Sequence, residues 1–399
     1  MSHKVAIIGA GLAGCSLAYE LSKNENLDIT VFDKNSKIAS EASGNYAGIL
    51  KPHLTSDNNY SDQFHTLGYQ ILLDFINENK DNIEICSKGV LHILSNQREL
   101  QRYTKIFAKR DISPKVAILI NSTEASKLLN SNTNHSAVFY PNAVSLVPST
   151  LCELWLKLSK ANTKLDSELV NISKTDTNKW MLSFINSDYE FDAVIFTGAY
   201  QLFQNIKYLK DIPVFSSHGQ LTLIDKSVDI NITAMNGGYI IPNYRNNMQI
   251  LGATFRDSDD NSYDVRVFDN NKNIDVFKNM FIDKMTSDII VIDSSVSTRC
   301  ITTDHMPVVG KLVCHQLYKE MFEQPLSKGY PKSKMPNVIY ENGLYVSSGF
   351  GSKGLCSSLI ASKIIASDIC NNESIVSIKL LESLSPQRFW IRNFKQSGC

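Results

Sequence analysis

The stretch VAIIGAGLAGCSLAYELSKNENLDITVFDK carries the clearest chemistry in this chain. Gly9, Gly11 and Gly14 stand in GxGxxG spacing, and Asp33 lies nineteen residues beyond Gly14. Each position answers a physical need. Gly9 permits a sharp exit from an apolar strand over Val5–Ile8, Gly11 lets a pyrophosphate reach backbone amides at a helix N-terminus, and Gly14 lets helix and strand pack closely. Asp33 ends a second strand, where its carboxylate can accept hydrogen bonds from a ribose. The pattern predicts dinucleotide binding without separating NAD from FAD.

Two further small-residue stretches could bring backbone close to a ligand. EASGNYAGILKPH holds Ser43, Gly44 and Gly48 within fifteen residues of Asp33, and SSGFGSKGLCSS holds Gly349, Gly351 and Gly354 around Lys353. The second joins a strand in NGLYVS to a helix in LIASKIIASDI. A strand over Ala193–Phe196 stops at Thr197, Gly198 and Ala199, as suits a sheet edge facing a ligand.

These loops need elements to hold them. Helices are expected from Ser61, with Phe64, Leu67, Ile71, Leu72 and Phe75 inward, and from a Ser149 cap through Leu151, Leu154, Trp155 and Leu158. Residues 168–200 alternate as two or three strands before Ala193–Phe196. From about Phe215 to Thr298, GQLTLI, GGYIIP and QILGATF read as strands of a separate sheet region inserted between parts of the nucleotide domain. Residues 311–337 read as a long polar connection.

Composition narrows the class. With 399 residues and 43% hydrophobic content the chain has room for two or three cores. Forty Lys plus Arg balance forty Asp plus Glu, so any contact with a polyanion must come from a local patch. The eight cysteines, at 15, 86, 152, 300, 314, 356, 370 and 399, form no CxxC pair and no zinc spacing, so they are read as reduced thiols with no metal. Neither a cleavable leader nor an apolar run long enough to span a membrane is visible, and cytoplasm is the expected compartment.

With STRCITTDHMPVVG (297–310), GSKGLCS and the tail LSPQRFWIR (384–392) added to ASGNYAG (42–48), the chain resembles the D-amino-acid-oxidase-like FAD oxidoreductases. Within them it is most similar to the branch that forms the C-terminal oxidoreductase part of MnmC, the tRNA 5-methylaminomethyl-2-thiouridine biosynthesis protein. The likeness spans almost the whole chain, although 96–135 and 256–295 match by position only. The expected fold is α/β and α+β, a Rossmann-type FAD-binding domain (1–90, 140–210 and 340–375) interleaved with a mixed or antiparallel-sheet substrate domain (91–139 and 211–339). A basic, aromatic tail (376–399) completes it.

The resemblance implies non-covalent FAD held by Gly9, Ala10, Gly11, Leu12, Ala13 and Gly14, with Asp33 and Lys34 at the adenosine end. Val170 matches the position whose backbone meets adenine. Ala42, Ser43, Gly44, Asn45, Ala47 and Gly48 match the loop beside the pyrophosphate and flavin, and Thr197 and Gly198 the strand end near the dinucleotide. Gly349, Gly351, Ser352, Lys353, Gly354 and Leu355 then lie along the flavin edge, where amides and the Lys353 cation favour hydride acceptance. Lys353 stands where this branch leads one to expect arginine, which keeps the charge but loses a planar fork. Cys356 is read as a small buried helix residue, and His53 and His305 are left out of catalysis.

The implied substrate is 5-carboxymethylaminomethyl-(2-thio)uridine at the tRNA wobble position, and the implied reaction removes its carboxymethyl group. Arg299 matches the arginine that holds substrate carboxylates in glycine-oxidase-like relatives, and Tyr239 could add a phenolic hydrogen bond. Because the sequence starts at the nucleotide strand, methyl transfer is expected from a separate tRNA methyltransferase. The alternative is a glycine, sarcosine or D-amino-acid type oxidase acting on a free amine, and a third reading keeps FAD as a structural ligand. In the tail, Lys379, Arg388, Arg392 and Lys395 interleave with Phe389, Trp390 and Phe394. That pattern suits either an RNA-stacking surface or aromatic docking on the core.

Overall fold

The apolar run after Met1 forms the strand His3–Ile8, whose last four residues are buried on both sides, as an interior parallel strand requires. In the computed structural model, which describes residues 2–256, 260, 262–281 and 288–396, this strand lies inside a six-stranded sheet. The order is Val308–Lys311, Leu344–Ser348, Ala193–Phe196, His3–Ile8, Leu27–Phe32, Asn162–Lys164. All pairings are parallel except that of Val308–Lys311 with Leu344–Ser348. The strand Ala193–Phe196 is therefore internal to the sheet, and it is its carboxyl end that stops at Thr197 and Gly198.

The chain divides into two units, Met1–Ser40 with Cys152–Ser216 and Arg299–Cys399, and Glu41–Leu151 with Ser217–Thr298. These bounds differ from those expected. Gly48–Leu50, Ile85–Ile93 and Ala137–Leu146 pair in one antiparallel ladder, so 41–90 and 140–151 join the second unit. Val308–Lys311 pairs into the parallel sheet, so 299–339 joins the first.

In the first unit the helices Leu12–Leu21 and Gly354–Ile369 meet through small residues, and the Ser16 and Ser362 hydroxyls lie 2.8 Å apart. A three-stranded antiparallel sheet, Leu169–Lys174, Trp180–Phe184 and Ser187–Phe191, contributes fully buried Trp180 and stacks Phe184 on Phe32 at 4.5 Å. Residues 311–337 are more than a polar connection. His315–Ser327 is a helix that buries Tyr318, Phe322 and Leu326. Its aromatic face receives the tail helix Arg388–Gln396 through Trp390 and Phe394.

That contact decides between the two readings of the tail. Phe389, Trp390 and Phe394 are buried, and the indole of Trp390 donates to the Asp211 carbonyl, so these rings are core and unavailable for base stacking. Arg388 is likewise committed, donating through Nε and Nη2 to the two oxygens of Asp304 at 2.9 Å and through Nη2 to the Met306 carbonyl. Burial disfavours the charged Asp304 carboxylate, but the Arg388 hydrogen bonds and charge outweigh it and hold its pKa below the usual range.

The second unit is built on a nine-stranded mixed sheet in the order Val291–Thr302, Val214–Ile224, Met248–Gly252, Tyr239–Tyr244, Thr233–Met235, Ile85–Ile93, Ala137–Leu146, Gly48–Leu50, with Ile118–Ile120 added to Ala137–Leu146. Strand alternation sends Ile240 and Leu251 to a core under the helix Val267–Met280, with Phe277 and Phe281. Leu221, Ile241 and Ile250 face the opposite way, toward Ala47 and Tyr239. The helix Tyr60–Glu78 buries Phe64, Leu72 and Phe75 but leaves Leu67 exposed, because its inner face runs through His65, Tyr69 and Ile76. Pro148–Ser159 buries Leu151, Leu154 and Trp155 and exposes Leu158 in its last turn.

Candidate functional site

In the first unit the glycine turn is a close approach of two strand ends. A Cβ on Gly9, whose φ is +118°, would lie 2.9 Å from the Gly198 amide nitrogen, and one on Gly14 would lie 1.8 Å from the Gly9 carbonyl oxygen. Thr197 locks the approach by donating its hydroxyl to the carbonyls of Ile8 and Gly9 at 3.0 and 2.9 Å. Asp33 stiffens the other side. It accepts from the Ala10 amide at 2.7 Å and from the Asn35 amide at 2.9 Å, so its carboxylate shapes the turn it was expected to serve from the ribose side. Gly11 caps the helix Leu12–Leu21 with no side-chain hydrogen bond. Lys34 donates to Gln201, and Val170 is 60% exposed on the three-stranded sheet.

The C-terminal glycine loop is tied to the same place. Ser348 donates its hydroxyl to the Gly198 carbonyl at 2.7 Å, and a Cβ on Gly354 would meet Leu12 at 3.3 Å. On its other side the loop is stitched to the strand that carries Arg299. Gly351 donates to the Cys300 carbonyl at 2.9 Å, Phe350 bridges Ile301, and a Cβ on Gly349 would press on Thr302 at 2.8 Å. Positive φ at Gly349 and Gly351 makes this path costly for other residues. Lys353, half-buried, is the N-cap of the Gly354–Ile369 helix, again without a side-chain cap. Ser352 is exposed and Leu355 buried.

Arg299 is 8% exposed, one residue before the carbonyl that Gly351 grips. Two buried thiols of this unit are held in the protonated form: burial pushes Cys300 up to about 12, and the Cys152 thiol, with burial, pushes Cys15 well above its ordinary value.

In the second unit Ala42–Gly44 form a short 3-10 turn, Ala47 is buried, and Gly48 opens the strand Gly48–Leu50. The Asn45 side-chain oxygen is buried without a hydrogen-bond partner. Tyr46 secures the loop by donating to Asp293 at 2.7 Å. Tyr239 lies over Gly252, where a Cβ would meet its hydroxyl oxygen at 2.7 Å and Leu221 at 2.5 Å. Gly252 and Ser348 were not foreseen. Serine in a glycine loop carries no distinctive signal, and Gly252 becomes special only when paired with Tyr239.

The arrangement is that of a dinucleotide site. A three-glycine turn that opens a helix N-terminus fits a pyrophosphate, with an acidic residue at the end of the second strand. Residues 4–367 match the family model described as FAD dependent oxidoreductase, DAO. The chain belongs to that family, its cofactor is FAD, and it is an FAD-dependent oxidoreductase.

Among curated proteins it is similar to the tRNA 5-methylaminomethyl-2-thiouridine biosynthesis bifunctional protein MnmC of Hydrogenovibrio crunogenus, 26% identical, covering 98% of this chain and 59% of the relative. The protein of the same name from Campylobacter fetus is 27% identical, covering 98% and 60%. The chain thus spans about three-fifths of the length of these relatives. Among solved structures, glycine oxidase from Geobacillus kaustophilus superposes with a TM-score of 0.75 at 18% identity, covering 97% of this chain and 99% of that one. L-proline dehydrogenase from P. horikoshii gives 0.77 at 13%, covering 98% of each. These likenesses establish the fold. Among the described residues no helix is long and apolar enough to cross a membrane, and no cluster suited to a metal ion is present.

Proposed function

We propose that this oxidoreductase removes the carboxymethyl group from 5-carboxymethylaminomethyl-(2-thio)uridine at the tRNA wobble position. The secondary amine and the methylene of its carboxymethyl arm lose two electrons and two protons, water adds to that carbon of the resulting C=N bond, and its C–N bond breaks. The products are glyoxylate and 5-aminomethyl-(2-thio)uridine. Bound FAD supplies the two-electron acceptor.

In this reading the amides of Gly9–Gly14 and the strand end Thr197–Gly198 hold the pyrophosphate, Asp33 and Lys34 serve the adenosine, and the Val170 backbone meets adenine. Ala42–Gly48 and Gly349–Leu355 flank the remainder, with Lys353 placing positive charge beside it. Arg299 fixes the substrate carboxylate through its planar fork, and Tyr239 adds a hydroxyl. Orientation does most of the work, since the reaction needs no protein nucleophile.

The observation that carries the proposal is a buried Arg299 on a strand gripped by the C-terminal glycine loop. A buried guanidinium in that place suits an anionic arm, and the similarity of 98% of this chain to about three-fifths of each MnmC protein supports a tRNA as its bearer. A separate methyltransferase then acts on the product, and cytoplasm is the compartment where both meet tRNA. The test is to incubate the FAD-loaded protein with tRNA bearing the carboxymethylaminomethyl group and analyse its nucleosides by mass spectrometry. Loss of that group with an equal yield of glyoxylate is expected; unchanged nucleosides reject the proposal.

A further inference from the structure

We propose that the groove between the Val267–Met280 helix and the strand ends at Gly238 and Ala253 binds one nucleotide of an RNA, beside the residue being oxidised. This rests on the tRNA reading above. The groove has a volume of about 350 Å³ and is lined by Gly237, Gly238, Phe255, Lys272, Asp275 and Asn279, among others. It begins one residue from the Tyr239–Gly252 pair.

Its aromatic wall is held in place although it faces solvent. Phe255 is 63% exposed between buried Thr254 and Arg256. The backbone on both sides is pinned, Thr254 donating to the Gln220 carbonyl and Arg256 to that of His218. The Arg256 guanidinium binds buried Asp269 and the carbonyls of Ser262 and Asp264. An exposed phenyl ring on so fixed a backbone offers a flat apolar face at little ordering cost, which is what base stacking requires.

Charge gives the second half of the argument. Lys272 lines the groove with Phe255, and its ammonium lies 4.5 Å from the ring centroid of Phe268, which is 65% exposed. A cation that lines the groove with one exposed ring and lies against a second suits one phosphate and the base attached to it. Asp275 makes the groove neutral overall, which disfavours a free polyphosphate and supplies an acceptor for amino groups on a base edge. The Gly237–Gly238 floor keeps backbone accessible; a Cβ on Gly238 would strike Val276 at 2.9 Å.

The test is anisotropy binding of a labelled anticodon stem-loop whose wobble uridine carries the carboxymethylaminomethyl group, using the FAD-loaded protein. Phe255→Ala should weaken binding about tenfold and Phe255→Trp should restore it. Lys272→Ala should weaken binding and reduce the slope of log affinity against log salt by about one. Both positions are exposed, so melting temperature and FAD content should stay at wild-type values. Wild-type affinity in Phe255→Ala and Lys272→Ala, or no binding by the wild type, overturns the proposal. Carboxymethyl loss with unchanged binding in the variants sinks the groove alone, whereas variant-sensitive binding without carboxymethyl loss sinks the proposed reaction alone.

Discussion

Replacing Gly14 by alanine tests the dinucleotide cradle with one methyl group. That methyl would start 1.8 Å from the Gly9 carbonyl oxygen and 2.9 Å from the Thr197 hydroxyl. To reach even 3.0 Å the helix Leu12–Leu21 and the turn must part by about 1.2 Å. The oxygen cannot yield alone, because Gly9 is itself pressed against Gly198 at a φ of +118°. Alanine gains about 1 kcal/mol of helix propensity. Overpacking costs about 1–3 kcal/mol, and loss of the Thr197–Gly9 hydrogen bond adds about 1 kcal/mol. The clash therefore wins by roughly 1–3 kcal/mol, which lowers Tm by about 2–12 °C for a unit of this size. FAD affinity should fall further, by at least about tenfold, because the displaced amides are those proposed to hold the pyrophosphate. Differential scanning fluorimetry and flavin absorbance after gel filtration measure both. A Gly14→Ala protein with wild-type Tm and wild-type FAD retention would refute the cradle.

Arg299→Ala should lower kcat/KM for the carboxymethylated tRNA by about 30- to 5,000-fold while leaving FAD content unchanged, since a lost partner of a buried charge pair costs about 2–5 kcal/mol; steady-state kinetics with flavin absorbance decides it. Gly252→Ala should displace Tyr239 and raise KM for the carboxymethylated tRNA, read by the same kinetics. Asp304, whose pKa is depressed in the folded state, contributes stability that is present above its unfolded value of about 3.9 and is lost as pH falls through the lower folded value. Asp304→Asn should therefore flatten the acid side of the stability curve, and Arg388→Ala should destabilise by about 3–5 kcal/mol by stranding the carboxylate, both read by urea unfolding against pH. With Cys399 replaced by serine, Ellman's reagent at pH 8 should label only the partly exposed Cys314 and Cys370 quickly, because Cys15, Cys86, Cys152, Cys300 and Cys356 are buried.

The first strand, turn and helix were legible because every residue there has a local reason. The period of the apolar run, the glycine spacing and the acidic end of the second strand all point one way. The three-stranded sheet and the inserted strands were visible for the same cause, alternation. Unit boundaries were harder, because whether Gly48–Leu50 or Val308–Lys311 joins one sheet or the other is decided by partners far away in sequence. The tail shows the limit of composition: Phe389, Trp390 and Phe394 among basic residues suit RNA or a core equally, and only Tyr318 and Phe322 on another helix resolve the choice. Within the site, the glycines were legible, whereas the Ser348 bond to Gly198 and the Gly252 recess under Tyr239 are tertiary.

Anaerobic flavin bleaching distinguishes the proposed tRNA substrate from a free amine. The FAD-loaded protein is mixed with tRNA bearing the carboxymethylaminomethyl group, or with glycine or sarcosine, and the loss of oxidised-flavin absorbance is followed. Rapid bleaching by the tRNA and little by the free amines are expected, with Arg299→Ala slow toward the tRNA. Rapid bleaching by glycine or sarcosine, with none by the tRNA, would contradict the proposed substrate.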